Sequence, residues 1–162
     1  MIFVWLKNNI GICPNFFRMY YFAYGSNMNL EHMRRLCGWH SRMLCRAKLP
    51  DFEIGLDSRG YANIRPKAGA EVWGVLFEID EAGLAVLDRF EGYPEVFGRQ
   101  EVVVLDESNM EYHSQVYIEA PEEFNGKTAR GEYFRRVIGA AYENRLPKEW
   151  IKKLEAFLEF EK

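Results

Sequence analysis

The stretch Tyr20–Met28, which reads YYFAYGSNM, limits what this chain can fold into more than any other segment. Its first five residues, Tyr20–Tyr24, are aromatic or small, and their length and composition predict a buried β-strand. The next three residues, GSN, do not readily continue a strand. From Asn29 onward, apolar residues recur at helical spacing through NLEHMRRLC. The sequence therefore predicts a strand, a tight turn and a helix in immediate succession.

This predicted turn has the features of a small anion site. Backbone N–H groups are exposed at the start of a helix, where the helix dipole also favours negative charge. Gly25 permits a backbone conformation or a close approach that a Cβ would block, and Asn27 or Asn29 can cap the helix. An ordinary capped turn is the more common meaning of such a pattern. The segment is not a P-loop, because the glycine spacing and the terminal Lys-Ser/Thr are absent.

Composition restricts the possible partners. A chain of 162 residues is expected to form one domain with a sizeable core. The formal charge of −3 offers no basic excess for nucleic acid, and no apolar run has the length of a membrane span. Cys13, Cys37 and Cys45 cannot all pair with one another and lack metal-ligand spacing. We therefore expect free thiols in the cytoplasm, no metal site, and no nucleic-acid or membrane partner; the oligomeric state is not readable.

Predicted strands dominate the middle of the chain, and predicted helices dominate its end. The first strand is Met43–Leu49, and Phe52–Leu56 is its continuation or its partner after a break at Pro50-Asp51. The other strands are Tyr61–Arg65 (ended by Pro66), Glu71–Ile79, Gln100–Leu105 and Tyr112–Ile118. The later helices are one capped by Asp80 with Leu84, Leu87 and Phe90 facing inward, one carrying the stripe Phe134, Val137, Ile138 and Ala141, and one after Pro147. Regular βαβ alternation is absent, which indicates an α+β fold. Residues 1–18 are interpreted as an N-terminal extension of uncertain status and residues 19–162 as a single domain.

Glu91 is the main candidate for acid–base chemistry. It follows a predicted helix in the irregular sequence FEGYP, where partial desolvation would raise its pKa and suit it to proton transfer near neutral pH. A solvated glutamate at a helix end is the more common alternative on composition alone. Glu95 is a weaker candidate nearby. Ser26 lacks the G-x-S-x-G context of a nucleophile, and His32, His40 and His113 show no pairing with it.

Five segments resemble, in order and at similar spacing, the motifs of the γ-glutamylcyclotransferase family (AIG2-like). They are YFAYGSNM at 21–28, CRAKLPDFEIGLD at 45–57, EVWGVLFEI at 71–79, LDRFEGYP at 87–94 and YFRRVIGAAYENRLPKEWIKKL at 133–154. The resemblance covers about Tyr20 to Leu158. It implies a small mixed β-barrel flanked by helices, within the α+β class.

The resemblance also implies an enzyme that cyclises a small-molecule γ-glutamyl amide to 5-oxoproline, without a cofactor, and releases an amino acid or amine. The implied catalytic residue is Glu91, and the implied substrate-binding residues are Tyr24, Gly25, Ser26, Asn27, Met28 and Tyr133. Phe97 departs from the family pattern, in which a tyrosine is usual, and this affects substrate preference more than the reaction. Two alternatives stay open: a non-catalytic carboxylate-binding protein of the same fold, and a γ-glutamylamine cyclotransferase. No motif specifies the leaving amine.

Overall fold

Five β-strands and four α-helices make up residues 19–159, the part of the chain that a computed structural model describes. The strands are β1 (Met19–Ala23), β2 (Ser41–Leu56), β3 (Ala62–Ile79), β4 (Phe97–Asp106) and β5 (Glu111–Glu119). The helices are α1 (Leu30–Cys37), α2 (Glu81–Glu91), α3 (Gly131–Glu143) and α4 (Lys148–Glu155). The predicted extension, residues 1–18, lies outside the described residues, and the division into domains stays a prediction.

The five strands close into a barrel in the order β1-β3-β2-β4-β5. Every neighbouring pair is antiparallel except β1 and β5, which are parallel, with Tyr20 opposite Ser114 and Tyr21 opposite Gln115. Closure pairs both edges of the sheet, so β1 lies between two strands that are far from it in sequence. The α+β fold with a mixed barrel is thus confirmed.

The strands β2 and β3 form one long hairpin, in which Phe52–Leu56 continues Met43–Leu49, one of the two predicted alternatives, and the predicted strand end at Pro66 is wrong. At Pro50-Asp51 the chain continues through a register shift, with Asp51 at a φ of 59°. At Pro66 the chain also continues, paired with Phe52. At Pro66, β3 is paired on one side only. Its partner there is β2, because β1 pairs with β3 only from Val75 to Ile79. A proline is tolerated in a strand that is paired on one side, because its missing N–H faces no second strand.

Capping residues in the sequence correctly predicted where the two helices beside the site, α1 and α2, begin. Asn29 caps α1, its Oδ1 accepting the His32 N–H at 2.7 Å, and Asp80 caps α2, its Oδ1 accepting the Gly83 N–H at 2.8 Å. These caps confirm two predicted helix starts. Helix α2 ends at Glu91, because the next residue, Gly92, adopts the left-handed conformation with a φ of 66°.

The core consists of the barrel residues and the apolar faces of the helices. The predicted stripe Phe134, Val137, Ile138 and Ala141 of α3 is buried, as are Leu84 and Leu87 of α2. Phe90 was predicted to face inward, and this is wrong: its side chain is 48% exposed and lies 5.2 Å from the His32 ring of α1. The last turn of α2 has passed the barrel wall, so Phe90 packs on a neighbouring helix instead. Within residues 19–159, no helix combines the length and the apolar character needed to cross a membrane.

Candidate active site

A cavity of about 470 Å³ opens where the turn after β1 meets the last residues of α2 and the first turn of α3. Six of the seven residues predicted to form the site line it: Tyr24, Gly25, Ser26, Asn27, Glu91 and Tyr133. The seventh, Met28, is fully buried in the core and is not among the lining residues. Glu95, the weaker acid–base candidate, is exposed and does not line the cavity either.

Asn27 connects the turn to Glu91. Its Nδ2 donates to Glu91 Oε1 at 2.8 Å and to the Tyr21 hydroxyl at 2.9 Å. Asn27 itself is only 4% exposed, and its Oδ1 is buried without a hydrogen-bond partner among the described residues. Buried carbonyl oxygens are normally bonded, so this oxygen can accept a hydrogen bond from a molecule in the cavity.

Glu91 is half-buried at the C-terminus of α2. Burial raises the pKa of its carboxyl to about 7, and the hydrogen bond from Asn27 lowers it in part. The expected direction of the shift is confirmed. A carboxyl that titrates near neutrality can both take up and return a proton under physiological conditions.

The turn after β1 is a single turn of 3₁₀-helix, Ser26–Met28. The Met28 N–H donates to the Gly25 carbonyl at 3.1 Å, and the Asn29 N–H donates to the Ser26 carbonyl at 3.1 Å. The Met28 amide is therefore already bonded within the turn. The part of the turn that borders the cavity is Gly25, Ser26 and Asn27.

Tyr133 explains why residue 25 is a glycine. A Cβ at Gly25 would lie 2.6 Å from the Tyr133 hydroxyl oxygen, well inside van der Waals contact. The φ of Gly25 is −113°, so the left-handed region plays no part. The close approach that requires glycine is thus an approach by a protein side chain. Burial, with the nearby Glu91 carboxylate, raises the pKa of the Tyr133 phenol, and hydrogen bonds from the Ser26 and Ala62 backbone partly offset that rise.

Tyr24 and Phe97 have different roles in the cavity wall. The Tyr24 hydroxyl donates to the Tyr117 carbonyl of β5 at 2.7 Å, so this phenol secures the end of β1 while its ring lines the cavity. Phe97 begins β4 and also lines the cavity, with its ring centre 6.0 Å from the Arg59 guanidinium carbon. The residue that departs from the family pattern therefore borders the site.

A cluster of charged side chains, Arg59, Asp57 and Glu119, reaches the cavity wall through Arg59, and the sequence patterns did not indicate it. Arg59 lines the cavity and pairs with two acids, Asp57 at 2.7 Å and Glu119 at 2.9 Å. Burial and a hydrogen bond to Asp57 raise the pKa of Glu119 to about 7. Glu119 lies sixty residues from Arg59 and reaches it only through strand pairing, so no local motif could have identified the cluster.

Several other residues line the cavity and were not predicted to do so, among them Tyr21, Tyr61, Arg89, Tyr117 and Arg136. Tyr21 lies in the recognised strand and carries the hydroxyl that accepts from Asn27. Alternation along the strand did not indicate it, because Tyr21 is an odd number of residues from the predicted Tyr24. Among residues 19–159, no group of three His, Cys, Asp or Glu side chains is arranged to hold a metal ion.

Similarity in sequence and fold to known proteins identifies the family of this chain. The family described as gamma-glutamyl cyclotransferase, AIG2-like, matches residues 21–136. Gamma-glutamylcyclotransferase of Homo sapiens is 29% identical over 147 residues, which cover 84% of this chain and 77% of the human protein, and that of Mus musculus is equally similar. A solved structure named gamma-glutamyl cyclotransferase superposes with a TM-score of 0.78 at 28% identity, over 86% of this chain and 87% of that one. This chain therefore belongs to the gamma-glutamyl cyclotransferase, AIG2-like family.

Proposed function

We propose that this protein cyclises a γ-glutamyl amide to 5-oxoproline and releases the amine, with Glu91 as the catalytic acid–base residue. The observation that carries the proposal is Glu91 itself: a half-buried carboxyl with a pKa of about 7, bonded to Asn27 inside the cavity. Membership of the family and the human and mouse relatives support the same reaction class.

In the reaction, the substrate's own α-amine attacks its γ-carbonyl carbon. A five-membered ring closes, the C–N bond to the leaving group breaks, and no other molecule is consumed. Because nucleophile and electrophile belong to one molecule, the protein's task is to orient them and to move protons. No covalent intermediate with the protein and no cofactor is needed.

Glu91 would move those protons. A free α-amine has a pKa of about 8 and is largely protonated at neutral pH, so it must lose a proton before it can attack. Glu91, as a carboxylate, would accept this proton and then return it to the departing nitrogen. The ring nitrogen loses a second proton as the lactam forms, and the released amine takes it up as its ammonium form. A carboxyl with a pKa of about 7 is suited to both steps, because it is readily protonated and readily ionised.

The turn after β1 would hold the rest of the γ-glutamyl group. The buried Oδ1 of Asn27 can accept a hydrogen bond from the α-amine, next to the carboxyl that deprotonates it. The backbone of Gly25, Ser26 and Asn27 borders the cavity and would bind the α-carboxylate or the developing oxyanion. Tyr24 and Tyr133 would form the wall behind them.

Within residues 19–159, Cys37 and Cys45 form no disulfide, which is typical of a reducing compartment. We therefore include a cytoplasmic location, and a place in the metabolism of γ-glutamyl compounds such as glutathione, in this proposal.

The proposal is tested by incubating the protein with a panel of γ-glutamyl amino acids, peptides and amines and measuring 5-oxoproline by mass spectrometry. Release from at least one member, lost in Glu91→Gln, is the expected result. Binding without release from any member would favour the non-catalytic alternative. Release from γ-glutamylamines only would make the protein a γ-glutamylamine cyclotransferase.

The carboxylate site is tested with two product analogues. 5-Oxoproline carries the carboxylate, and 2-pyrrolidinone is the same ring without it. A charge-assisted hydrogen bond to a buried carboxylate contributes about 1.5–3 kcal/mol, which is tenfold or more in the inhibition constant. Equal inhibition by the two rings would show that the turn does not bind the carboxylate.

A further inference from the structure

A second cavity of about 520 Å³ adjoins the first, on the outer side of α1 and α3. Ser26, Phe90 and Arg136 line both cavities, so the two cavities meet at these residues. The floor of the second cavity is formed by Gly139 and Ala140, one helical turn further along α3. No residue of this second cavity takes part in the chemistry proposed for Glu91, apart from those at the shared border.

His32 provides the clearest sign that the second cavity accepts a ligand. Its Nε2 is buried and has no hydrogen-bond partner among residues 19–159. Its ring packs against Phe90 at 5.2 Å between centroids. Burial, followed by the charges of Arg136 and Arg35, lowers the pKa of His32 and so favours the neutral imidazole. A buried ring nitrogen of this kind is normally bonded, and a polar molecule in the cavity would supply the partner.

Arg136 provides a cation at the border. Its Nη1 is paired with Glu132 Oε1 at 3.1 Å, one turn earlier on α3, and these side chains are 59% and 88% exposed. Exposed pairs of this kind contribute little to stability, so the guanidinium can turn to a better partner at small cost. A carboxylate that receives two parallel hydrogen bonds from a guanidinium is such a partner.

The second cavity has another cation, Arg35, whose pair with Glu31 is also exposed, at 73% and 69%, but Arg35 does not line the first cavity as Arg136 does. The remaining charges around the second cavity are carboxylates. Glu31 accepts a hydrogen bond from Arg35, and Glu143 accepts one from Asn29 Nδ2 at 3.3 Å. Glu143 follows Arg136 by seven residues, which is about 10 Å along the helix. The end of the second cavity nearest the Glu91 carboxyl therefore presents the guanidinium of Arg136.

From this arrangement we infer that the second cavity binds the leaving group, and that Arg136 selects leaving amines that carry a carboxylate. The inference rests on the proposed function, because a leaving group exists only if the protein cyclises a γ-glutamyl amide. With the γ-glutamyl part beside Glu91, the scissile nitrogen points out of the first cavity across the shared border. The carboxylate of a released amino acid or peptide then lies beside Arg136, and its side chain lies against Phe90 and His32.

The inference is tested with γ-glutamyl-alanine and γ-glutamyl-ethylamide, which differ only in the carboxylate of the leaving group. Wild-type protein is expected to favour γ-glutamyl-alanine by about tenfold or more in kcat/KM, chiefly through KM. In Arg136→Gln this ratio should fall toward one. The matched control is Arg135→Gln, because Arg135 is the next residue on α3 and lines neither cavity; it should keep the wild-type ratio.

The outcomes separate the inference from the proposed function. Release of 5-oxoproline from both compounds with the same ratio in wild type and Arg136→Gln would overturn the inference and leave the reaction intact. Release from neither compound, nor from any other γ-glutamyl amide, would overturn both. Arg136→Lys keeps the charge without the two-pronged geometry, and an intermediate ratio is expected for it.

The site of the leaving group is tested independently by filling the second cavity. Gly139 lines the second cavity, and a Cβ added there meets no atom within 4 Å, so Gly139→Leu begins its side chain in open space beside the cavity. We expect this variant to lose at least tenfold more kcat/KM with γ-glutamyl-phenylalanine than with γ-glutamyl-ethylamide. Gly139→Ala, which adds one methyl group, is the control. An equal loss with both substrates would overturn the assignment of this cavity to the leaving group.

Discussion

Asn27 and Glu91 are joined by a hydrogen bond of 2.8 Å, although sixty-four residues separate them in the chain. The bond links the turn that follows β1 to the last residue of α2. Because the same Asn27 amide group also donates to Tyr21, the carboxyl is held at one place on the cavity wall.

Replacing Glu91 with glutamine should abolish most turnover without unfolding the protein. The amide is similar in size and can still accept the bond from Asn27, but it cannot exchange a proton. Loss of general acid–base catalysis should lower kcat by about 10²–10⁴-fold. Steady-state kinetics with the best γ-glutamyl substrate provide the measurement, and Glu95→Gln, at an exposed position outside the cavity, is the control. A variant that kept more than about a tenth of the wild-type kcat would rule out Glu91 as the proton carrier.

Replacing Asn27 with alanine should shift the pH dependence of activity. The bond from Asn27 lowers the pKa of Glu91, so its loss should raise that pKa above its value of about 7. The rate is expected to depend on ionised Glu91, and the acidic limb of kcat/KM should therefore move to higher pH. The measurement is kcat/KM as a function of pH between about 5 and 9, a range that includes the titration of Glu91 and of the substrate's α-amine. An unchanged acidic limb would mean that another group controls it.

The folded protein should become less stable as Glu91 ionises. In the folded state its pKa is raised from 4.5 to about 7, so the folded state binds more protons than the unfolded state between these values. The free energy of unfolding therefore falls as pH rises from about 4.5 to about 7 and then levels off, by at most about 3 kcal/mol.

The measurement is urea denaturation of wild type and Glu91→Gln across this pH range. Taking the difference between them removes the contributions of Glu119 and Asp57, whose pKa values are shifted in opposite directions. A difference that does not vary with pH would contradict the raised pKa.

Replacing Gly25 with alanine should lower both stability and kcat/KM, and the cause should be Tyr133. The new Cβ would meet the Tyr133 hydroxyl at 2.6 Å. Removing that hydroxyl should relieve the contact, so Gly25→Ala should cost less in a Tyr133→Phe background. Melting temperatures and kinetics of the two single variants and the double variant form the test. Equal effects of Gly25→Ala in both backgrounds would exclude this contact as the cause.

Two glycines in helices should respond in opposite ways to alanine. At Gly83 of α2, a Cβ would lie 2.7 Å from Ile79 Cγ1 and 2.8 Å from the His40 carbonyl oxygen. Gly83→Ala should therefore destabilise the protein by about 1–3 kcal/mol, despite the better helix propensity of alanine. Gly139→Ala on α3 meets open space and should stabilise by up to about 1 kcal/mol. Chemical denaturation measures both, and a stabilising Gly83→Ala would show that the α2 contact can relax.

Local patterns in the sequence were sufficient for elements whose signals lie within a few residues. The strand-turn-helix at 19–37, the caps at Asn29 and Asp80, and the β4–β5 hairpin depend on periodicity and on side chains that bond three or four residues away. The resemblance to the family then predicted the mixed barrel and located Glu91. The predicted strand end at Pro66 was wrong, because a local rule for proline takes no account of how many neighbours a strand has.

Only the tertiary structure decided what surrounds Glu91. Its pKa depends on burial, which is a property of the packed molecule, and its partner Asn27 comes from another segment. Strand pairing brings Glu119 to Arg59, and the packing of α3 places Tyr133 against Gly25 and Arg136 between the two cavities. The sequence by itself determined the elements and the residue types available for chemistry. The distances and charges at the site arise from contacts between distant segments, which no local pattern encodes.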